Sequence, residues 1–500
     1  MNRLALLVPA LLVLGAGGLT RVVAQPAGSV FDIVLVGGRV LDPESGLDAV
    51  RNVGIRNGKV AAITTGPLRG RTALDVRGLV VAPGFIDLHT HEHDPESYGF
   101  YARDGVTTAI DGEGGAFPVG SWYAEREGKA RINYGATVGH RRVRVAVIQG
   151  MDALRDSATF RDPSAPYQHH RVTPDELWRI VSAVRQGLAE GAVGIGSILQ
   201  LTPGTTHEEV LRLFEVAAEQ GVPYFVHLRF QGAVEPGSGI AGLEEALAGA
   251  AITGASLHIV HLPATLLGQT PIALDIIDRA RRRGLDVTTE AFPYTGSNVR
   301  ISSSVFDPGW QERLGISYAE LRDAATGERL TEESFARLRP KGGYVLQFSI
   351  PDSAVDSALA HPLVMVASDA NPAHPRLAGT HARVLGRYVR ERRVLSLMEG
   401  VRKMTLLPAQ RLERAVPAMR DKGRIRVGAD ADLTVFDPDR VIDRATYERP
   451  KEYSEGIVHV LVNGSFVVRD EALVTDASPG RPIRRPAARQ RSATDVRPRR

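Results

Sequence analysis

Two histidines close an apolar segment near the start of the chain. His89 and His91 follow residues 82–88, which read Ala-Pro-Gly-Phe-Ile-Asp-Leu. Residues two apart in a β-strand point to the same side, so both imidazoles can reach one metal ion. Imidazole is a common ligand of zinc and similar divalent metals. Surface histidines are common, so the pair indicates a metal site only if further metal-binding residue types close other strands of the chain.

Matching residues close several later strand-like runs. The apolar run 106–110 leads into Asp111 and Glu113. Three further runs end in His227, His261 and Asp369. Histidines and carboxylates that each close a separate strand are the ligand types of a divalent metal site. We therefore expect these strand ends to meet around a metal.

An alternation of strands and helices predicts the architecture that would bring them together. Thr173 and Glu176 form a capping box with Pro174 at the first helical position, which predicts one of the helices. We expect eight parallel strands in a (β/α)8 barrel, near 85–89, 106–112, 134–139, 192–198, 223–227, 256–261, 285–292 and 363–369. Active sites of such barrels lie at the C-terminal strand ends, where every candidate ligand falls. A doubly wound sheet is less consistent, because no Gly-x-Gly-x-x-Gly turn follows the first strand.

The two ends of the chain have a different character. Short apolar runs flank Asn57-Gly58 near one end and Asn463-Gly464 near the other, and Asn-Gly is a hairpin signal. Each half is too small for its own core, so we expect both to form one small β-sandwich into which the barrel is inserted. The predicted organisation is a first sandwich half at 25–82, a barrel at 83–412 with a lid near 300–345, and a second half at 413–475.

The N-terminal segment and the composition predict an exported protein. Arg3, an apolar run and small residues up to Ala24 predict a signal peptide over 1–24, and hence a periplasmic or secreted protein. The chain has no cysteine, and no other segment is apolar enough for stable membrane insertion. The arginine- and proline-rich residues 476–500 predict a basic disordered tail. Without these arginines the body has a slight negative charge, so we expect no nucleic-acid partner.

These segments resemble the amidohydrolase superfamily and, within it, the N-acyl-D-amino-acid deacylases, also called the D-aminoacylase family. Residues 83–91 are similar to the opening strand of that family, and residues 133–140 to its third strand. The match most specific to the group is 374–391, which begins His-Pro-Arg-Leu-Ala-Gly-Thr and ends Tyr-Val-Arg-Glu. The resemblance covers about residues 30–470.

The resemblance implies one or two divalent metal ions, with zinc expected. The residues expected at the first position are His89, His91 and Asp369, and those at the second are His227 and His261. Glu113 would complete the second position and could bridge both, although D-aminoacylases usually have a cysteine at this place. Asp111 is the alternative, because it lies two residues away on the same face.

The implied reaction is hydrolysis of the amide bond of a small N-acyl-amino acid, with the D configuration expected. A metal-bound water loses a proton near neutral pH. Asp369 would accept this proton and pass it to the departing amine. Arg376, after strand eight, could grip the substrate carboxylate. Tyr294 could hydrogen-bond the oxyanion or that carboxylate, and His140 could contact the substrate or support the ligands.

Two other functions fit the same residues. The first is hydrolysis of a cyclic amide, such as a hydantoin, or of a dipeptide; a neutral ring would not need Arg376. The second is a metal-binding scaffold without turnover, which the complete ligand set argues against. The family often has a lysine two residues after the strand-six histidine, where this chain has Pro263. Acyl and side-chain preference, metal number and oligomeric state therefore stay open.

Overall fold

The computed structural model describes residues 30–486 apart from 161 and 163. The predicted signal peptide and residues 487–500 of the predicted tail lie outside the described residues. The strands in chain order are β1 (Phe31–Asp42), β2 (Leu47–Arg56), β3 (Lys59–Thr64), β4 (Gly70–Asp75), β5 (Val80–Pro83), β6 (Phe85–Asp87), β7 (Val106–Ala116), β8 (Asn133–Gly139), β9 (Ile195–Ile198), β10 (Pro223–His227), β11 (Ser256–Ile259), β12 (Val287–Ala291), β13 (Ser297–Arg300), β14 (Leu321–Asp323), β15 (Tyr344–Gln347), β16 (Val364–Val366), β17 (Leu433–Phe436), β18 (Ile457–Val462), β19 (Ser465–Arg469) and β20 (Ala472–Leu473).

The α-helices alternate with the central strands. They are α1 (Pro95–Arg103), α2 (Val119–Arg126), α3 (His140–Ile148), α4 (Met151–Arg155), α5 (Pro166–His169), α6 (Pro174–Ala189), α7 (His207–Gln220), α8 (Gly239–Thr253), α9 (Leu262–Leu266), α10 (Thr270–Arg282), α11 (Trp310–Leu314), α12 (Glu332–Leu338), α13 (Asp352–Ala360), α14 (Arg376–Arg383), α15 (Leu397–Met404) and α16 (Leu406–Leu412). A π-helical segment, Val384–Glu391, continues α14. The predicted capping box starts α6, where the Thr173 hydroxyl accepts the Glu176 amide at 3.3 Å.

The predicted (β/α)8 barrel is confirmed. Eight parallel strands lie in the order β16-β12-β11-β10-β9-β8-β7-β6, which follows the chain as repeated β–α units require. The first and last strands meet through a parallel bridge between Thr90 and Ala370. The Ser368 amide also donates to Asp87 Oδ1 at 3.1 Å. The contact that closes the barrel thus lies at the strand ends from which the candidate ligands emerge.

The two ends of the chain pair with each other, as predicted. β5 runs antiparallel to β17, and hydrogen bonds continue through one nine-stranded sheet from both terminal segments. The long strand β1 pairs in parallel with β4 over its first half and with β5 over its second. Its antiparallel pairing with β2 has a register shift between Leu35 and Gly38. A Cβ at Gly38 would lie 2.6 Å from Val81 Cγ2, so only glycine allows this close approach. The sheet has an apolar core separate from that of the barrel.

A small unit is inserted between strands seven and eight of the barrel, where the lid was predicted. We call residues 297–347 the insertion unit. It contains the antiparallel strands β13, β15 and β14 with helices α11 and α12. Phe306, Trp310 and Phe335 form the centre of its own apolar cluster, with ring centroids 5.4–5.6 Å apart. The unit therefore has its own apolar core and is not simply a polar loop.

The expectation of a disordered tail from residue 476 needs correction. The Gly480 amide donates to the Ala130 carbonyl at 2.9 Å, and the Ile483 amide to the Tyr134 carbonyl at 2.7 Å. Ile483 is buried. Backbone pairing and this apolar contact hold the segment at the base of β8 in spite of its arginine- and proline-rich composition. None of the helices in the described part of the chain is both long and apolar enough to cross a membrane.

Candidate metal centre

The predicted ligands come together at the C-terminal end of the barrel. They are His89 and His91 after β6, Glu113 in β7, His227 at the end of β10, His261 after β11 and Asp369 after β16. Their ligand atoms form overlapping triplets in which all atoms lie within 4.8 Å of one another. The atoms fall into two groups that share Glu113. Parallel strands of a closed barrel end on one rim, so residues far apart in the chain meet there.

The first group consists of His89, His91, Asp369 and one oxygen of Glu113. The Nε2 atoms of His89 and His91 lie 3.3 Å apart. Asp369 Oδ1 lies 3.1 Å from His91 Nε2 and 3.5 Å from His89 Nε2. Glu113 Oε2 lies 3.4 Å from the same two nitrogens.

The second group uses the other oxygen of Glu113. Its Oε1 atom lies 2.7 Å from His227 Nδ1 and 2.9 Å from His261 Nε2. These two nitrogens are 3.1 Å apart. One carboxylate oxygen therefore faces each pair of histidines, which is the arrangement of a bridging ligand.

This set of atoms fits a zinc centre. Four-coordinate zinc with bonds of about 2.1 Å places its ligand atoms roughly 3.4 Å apart. The spacings of 3.1–3.5 Å in the first group match this value, and those of 2.7–3.1 Å in the second group are shorter. Asp111, the alternative to Glu113, has a different task. Its Oδ1 accepts the Gly115 amide at 2.8 Å and lies 3.8 Å from His91 Nδ1. The geometry favours Glu113 as the bridging carboxylate, with Asp111 behind His91.

Two of these residues have an unusual backbone conformation. His261 has φ +31° and Asp369 has φ +50°, in the left-handed region. For residues other than glycine this conformation costs on the order of 1–3 kcal/mol and clusters at functional sites. Each residue directly follows a barrel strand, where the turn directs the side chain over the barrel mouth.

Both candidate carboxylates are held ionised. Burial opposes the charge of Asp369, but the adjacent Arg376 and His89 outweigh it and hold the pKa of Asp369 well below its usual range. Burial also opposes the charge of Glu113, and the surrounding histidines again lower its pKa. An ionised carboxylate is the form that binds a metal or accepts a proton.

A cavity of about 330 Å³ opens above these groups. Its floor includes Glu113, Asp369 and Arg376. The segment after β8 contributes Arg141 and Arg142 to its wall, and the insertion unit contributes the polar and aromatic residues Ser297, Asn298, Arg300, Ser303 and Tyr344. The volume suits a small molecule, and the charged wall suits one with anionic groups.

Arg376 lies beside the catalytic candidate. Its Nη2 atom is 3.0 Å from Asp369 Oδ2, and its guanidinium lies 4.8 Å from the centre of the Phe292 ring. The side chain is 3% exposed. Its Nε and Nη1 atoms have no hydrogen-bond partner within the described residues. Two buried donors at a cavity wall match the predicted role of binding a carboxylate.

The sequence matches the model of the amidohydrolase family over residues 72–468. The chain belongs to the amidohydrolase family. It is 35% identical to the N-acyl-D-glutamate deacylase of Alcaligenes xylosoxydans xylosoxydans, over 91% of this chain and 97% of that protein. It is 30% identical to the D-aminoacylase of the same organism, over 93% and 100%.

A solved structure agrees with this membership. The N-acyl-D-glutamate deacylase of Bordetella bronchiseptica, complexed with zinc and a phosphonate inhibitor that mimics the tetrahedral reaction intermediate, superposes with a TM-score of 0.78. The two chains are 30% identical, with 91% of this chain and all of that one covered. This amidohydrolase is therefore D-aminoacylase-like, a hydrolase of carbon–nitrogen bonds other than peptide bonds.

The expected substrate contact of Tyr294 needs correction. Tyr294 is buried and does not line the cavity. Its ring meets His374 edge-on at 5.3 Å and lies under the Arg383 guanidinium at 4.6 Å. Its hydroxyl points to the Pro375 carbonyl at 3.5 Å. The packing of α14 against the strand-seven turn draws the side chain away from the barrel mouth.

His140 is likewise separated from the cavity. Its Nε2 atom hydrogen-bonds Glu209 Oε1 at 2.7 Å, and Glu209 also pairs with Arg144 at 2.6 Å. All three side chains are buried and none lines the cavity. Of the two roles left open by the sequence, this position favours support of neighbouring elements over a contact with the substrate. The network instead joins α3 to α7.

Two further histidines lie near the candidate ligands without belonging to either ligand group. His93 hydrogen-bonds Thr90 Oγ1 at 2.9 Å and faces the Tyr98 hydroxyl at 3.3 Å, outside both ligand groups. Burial lowers the pKa of His93 to about 4, so this imidazole is neutral at ordinary pH. His258 is buried and hydrogen-bonds Thr288 and Glu290.

Sequence reasoning missed two residues that hold the candidate ligands. Glu290 Oε1 lies 2.5 Å from His89 Nδ1, and Gln200 Oε1 lies 2.8 Å from His227 Nε2. Glu290 is a carboxylate near the end of barrel strand β12, the same signal that pointed to Glu113. Gln200 lies in a turn after β9, and no pattern in the sequence distinguishes it.

Proposed function

We propose that this amidohydrolase removes the acyl group from N-acyl-D-amino acids with the help of one or two zinc ions. The observation that carries the proposal is the convergence of four histidines and two carboxylates at the floor of a cavity that also holds Arg376. A free substrate carboxylate requires such a guanidinium, and a neutral cyclic amide does not. The D configuration is supported by the similarity to deacylases of that stereochemistry.

The ligand atoms divide into two positions that share Glu113. His89, His91 and Asp369 would hold the first, and His227 and His261 the second. A metal bound there would polarise the amide carbonyl of the substrate and lower the pKa of the attacking water.

Asp369 moves the proton. Its carboxylate is ionised, with Oδ1 toward His91 and Oδ2 toward Arg376. It accepts the proton of the attacking water and delivers it to the amine nitrogen as the carbon–nitrogen bond breaks. The products are a carboxylate and a free amino acid. Arg376 keeps Nη2 on Asp369 and offers Nη1, which has no hydrogen-bond partner among the described residues, to the α-carboxylate of the substrate.

The cavity wall favours a second negative charge on the substrate, such as an acidic side chain. Arg142 donates from Nε to the Gly115 carbonyl at 3.0 Å, and Arg141 lies 5.1 Å from the centre of the Phe160 ring. Neither arginine forms an ion pair with any residue from the described ranges, 30–160, 162 and 164–486. Burial lowers the pKa of Arg142, which means that water solvates this cation poorly. A carboxylate would compensate both charges.

The test is release of amine from matched N-acetyl-D- and N-acetyl-L-amino acids by the zinc-loaded protein, with glutamate and leucine as the amino acids. We expect hydrolysis of the D series and loss of it in Asp369→Asn, by about 10²–10⁴-fold. His93→Gln is the matched control, because His93 lies next to the ligands without facing them. Absence of turnover with both series, with zinc present, would reject deacylation in favour of cyclic amides or dipeptides.

The preference for an acidic side chain has its own test. Arg142→Gln should lower the ratio of kcat/KM for N-acetyl-D-glutamate over N-acetyl-D-leucine by about tenfold, because a charged hydrogen bond contributes about 1.5–3 kcal/mol. A wild-type enzyme that prefers leucine would refute the acidic preference and leave deacylation intact.

A further inference from the structure

A continuous series of hydrogen bonds connects a buried arginine to one of the candidate ligands. Arg411 Nη1 donates to Thr288 Oγ1 at 3.3 Å, and Thr288 Oγ1 lies 2.7 Å from His258 Nδ1. His258 Nε2 lies 2.9 Å from Glu290 Oε2, and Glu290 Oε1 lies 2.5 Å from His89 Nδ1. Both histidines and Glu290 are almost fully buried. We call this series the Arg411–His89 relay.

The ionised carboxylate of Glu290 determines the direction of the hydrogen bonds in the relay, because it can only accept. A neutral His258 that donates to it keeps its lone pair on Nδ1, where the Thr288 hydroxyl donates, and Thr288 in turn accepts from Arg411. His258 then has its hydrogen on Nε2 and donates it to Glu290. The carboxylate accepts on both oxygens, so His89 must place its hydrogen on Nδ1. The lone pair of His89 is thereby left on Nε2, the atom that faces Glu113 and Asp369.

We propose that Glu290 is a positioning residue for the metal centre: through the relay it holds His89 in the one tautomer and orientation that can bind the metal. The inference rests on metal binding as stated under the proposed function. A carboxylate behind a histidine ligand fixes the ring and makes its free nitrogen more basic, and loss of such a group weakens metal affinity about 10–100-fold.

The protein contains a second network that can serve as a control. His140, Glu209 and Arg144 also form a buried histidine–carboxylate–arginine set in the barrel. This set touches none of the six candidate ligands. Glu209→Gln therefore removes a buried charge of the same kind without a route to the metal.

The experiment compares the zinc dissociation constants of wild type, Glu290→Gln and Glu209→Gln by competition of the metal-free proteins with a chromogenic chelator. A glutamine can still hydrogen-bond both histidines, so the variant should fold, but it lacks the carboxylate charge that makes the metal-facing nitrogen of His89 more basic. We expect zinc to bind Glu290→Gln about 10–100-fold more weakly and Glu209→Gln within about threefold of wild type. The visible spectrum of the cobalt-loaded protein should change only in Glu290→Gln.

Equal zinc affinity in wild type and Glu290→Gln, or an equal loss in Glu209→Gln, would overturn the relay while leaving the proposed function in place. A wild-type protein that binds no zinc would overturn both. A second measurement needs no variant: long-range proton–nitrogen NMR of the zinc-loaded wild type should show hydrogen on His89 Nδ1 and on His258 Nε2. Hydrogen on His258 Nδ1 would contradict the direction of the relay.

Discussion

Glu113 connects the two groups of histidines at the level of a single residue. Its Oε2 atom faces His89 and His91, and its Oε1 atom faces His227 and His261. The glycines around it make this approach feasible. A Cβ at Gly112 would lie 2.3 Å from the Leu88 carbonyl, so β7 can pack this closely on the first strand only with glycine there. The resemblance to D-aminoacylases placed a cysteine here, and a carboxylate is a harder ligand that tolerates a wider range of metals.

Glu113→Gln should lower the zinc content by one ion per chain. The amide has one weak acceptor where the carboxylate offers two charged oxygens, so the position between His227 and His261 should lose occupancy first. Metal content after dialysis, measured by mass spectrometry, checks this. Asp111→Asn is the matched control, since an asparagine oxygen still accepts the Gly115 amide. A loss of zinc in Asp111→Asn with full retention in Glu113→Gln would reverse the assignment.

Arg376 should determine the requirement for a free α-carboxylate. We expect wild type to prefer N-acetyl-D-glutamate over its α-amide by about 10- to 100-fold in kcat/KM, the effect of one or two charged hydrogen bonds. The preference should disappear in Arg376→Gln. It should persist in Arg383→Gln, because Arg383 pairs with Asp443 outside the cavity. Unchanged preference in Arg376→Gln would place the carboxylate elsewhere.

At the scale of elements, the insertion unit combines a separate core with a role in the cavity wall. Its strand β13 contributes Asn298 and Arg300, and its strand β15 contributes Tyr344, to the cavity lining. The aromatic cluster around Phe306 is distinct from the barrel core. The part of the cavity wall that the insertion unit contributes and the candidate metal ligands are therefore supported by different cores, and damage to one core should leave the other intact.

Phe306→Ala should weaken substrate binding without weakening metal binding. Loss of a fully buried phenylalanine costs about 3–5 kcal/mol, here within residues 297–347. We expect a higher KM and faster hydrogen exchange in the insertion unit, with zinc content unchanged. Ile55→Ala, a comparable deletion in the core of the terminal sheet, should lower stability without a change in KM. An unchanged KM in Phe306→Ala would remove the insertion unit from substrate binding.

At the scale of the whole molecule, a buried ionic cluster joins the terminal sheet to the barrel. Lys422 Nζ lies 2.6 Å from Asp432 Oδ2 and 3.0 Å from Asp430 Oδ2. Asp432 also accepts from Asn133 of barrel strand β8 at 2.9 Å. The pKa of Lys422 is raised, because its two carboxylate partners outweigh the effect of burial. The pKa of Asp430 is lowered, because Lys422 and Lys59 outweigh burial.

These shifts predict how stability depends on pH. The contribution of Asp430 is complete above its ordinary pKa of 3.8 and is lost as the pH falls through its lowered value. The contribution of Lys422 is complete below its ordinary pKa of 10.5 and is lost as the pH rises through its raised value. Urea unfolding should therefore show a stable plateau for this cluster between these two values.

Lys422→Met should destabilise the protein by about 3–5 kcal/mol near neutral pH, because it removes the cation that pairs with the buried Asp432 and one of the two cations that pair with Asp430. The loss should shrink in acid, where Asp430 takes up a proton. Lys59→Met removes a half-exposed partner of the same Asp430 and should cost at most about 1 kcal/mol. Equal losses in the two variants would mean that burial of the cluster adds nothing.

The sequence by itself determined the barrel, the paired terminal segments and the six candidate ligands. Strand periodicity and the residue that ends each strand are local properties, and parallel barrel strands end on one rim, so His227, His261 and Asp369 could be placed before any contact was known. Family membership added the expectation of a deacylase.

Only the tertiary structure decided which side chains reach the centre. Asp111 and Glu113 share a strand face, and the depth of each in the barrel selects Glu113. Packing by distant elements turned Tyr294 away from the cavity and closed His140 into a separate network. The physical reason is common to all of these: the reach of a side chain depends on neighbours that are remote in the chain, and strand patterns contain no information about them.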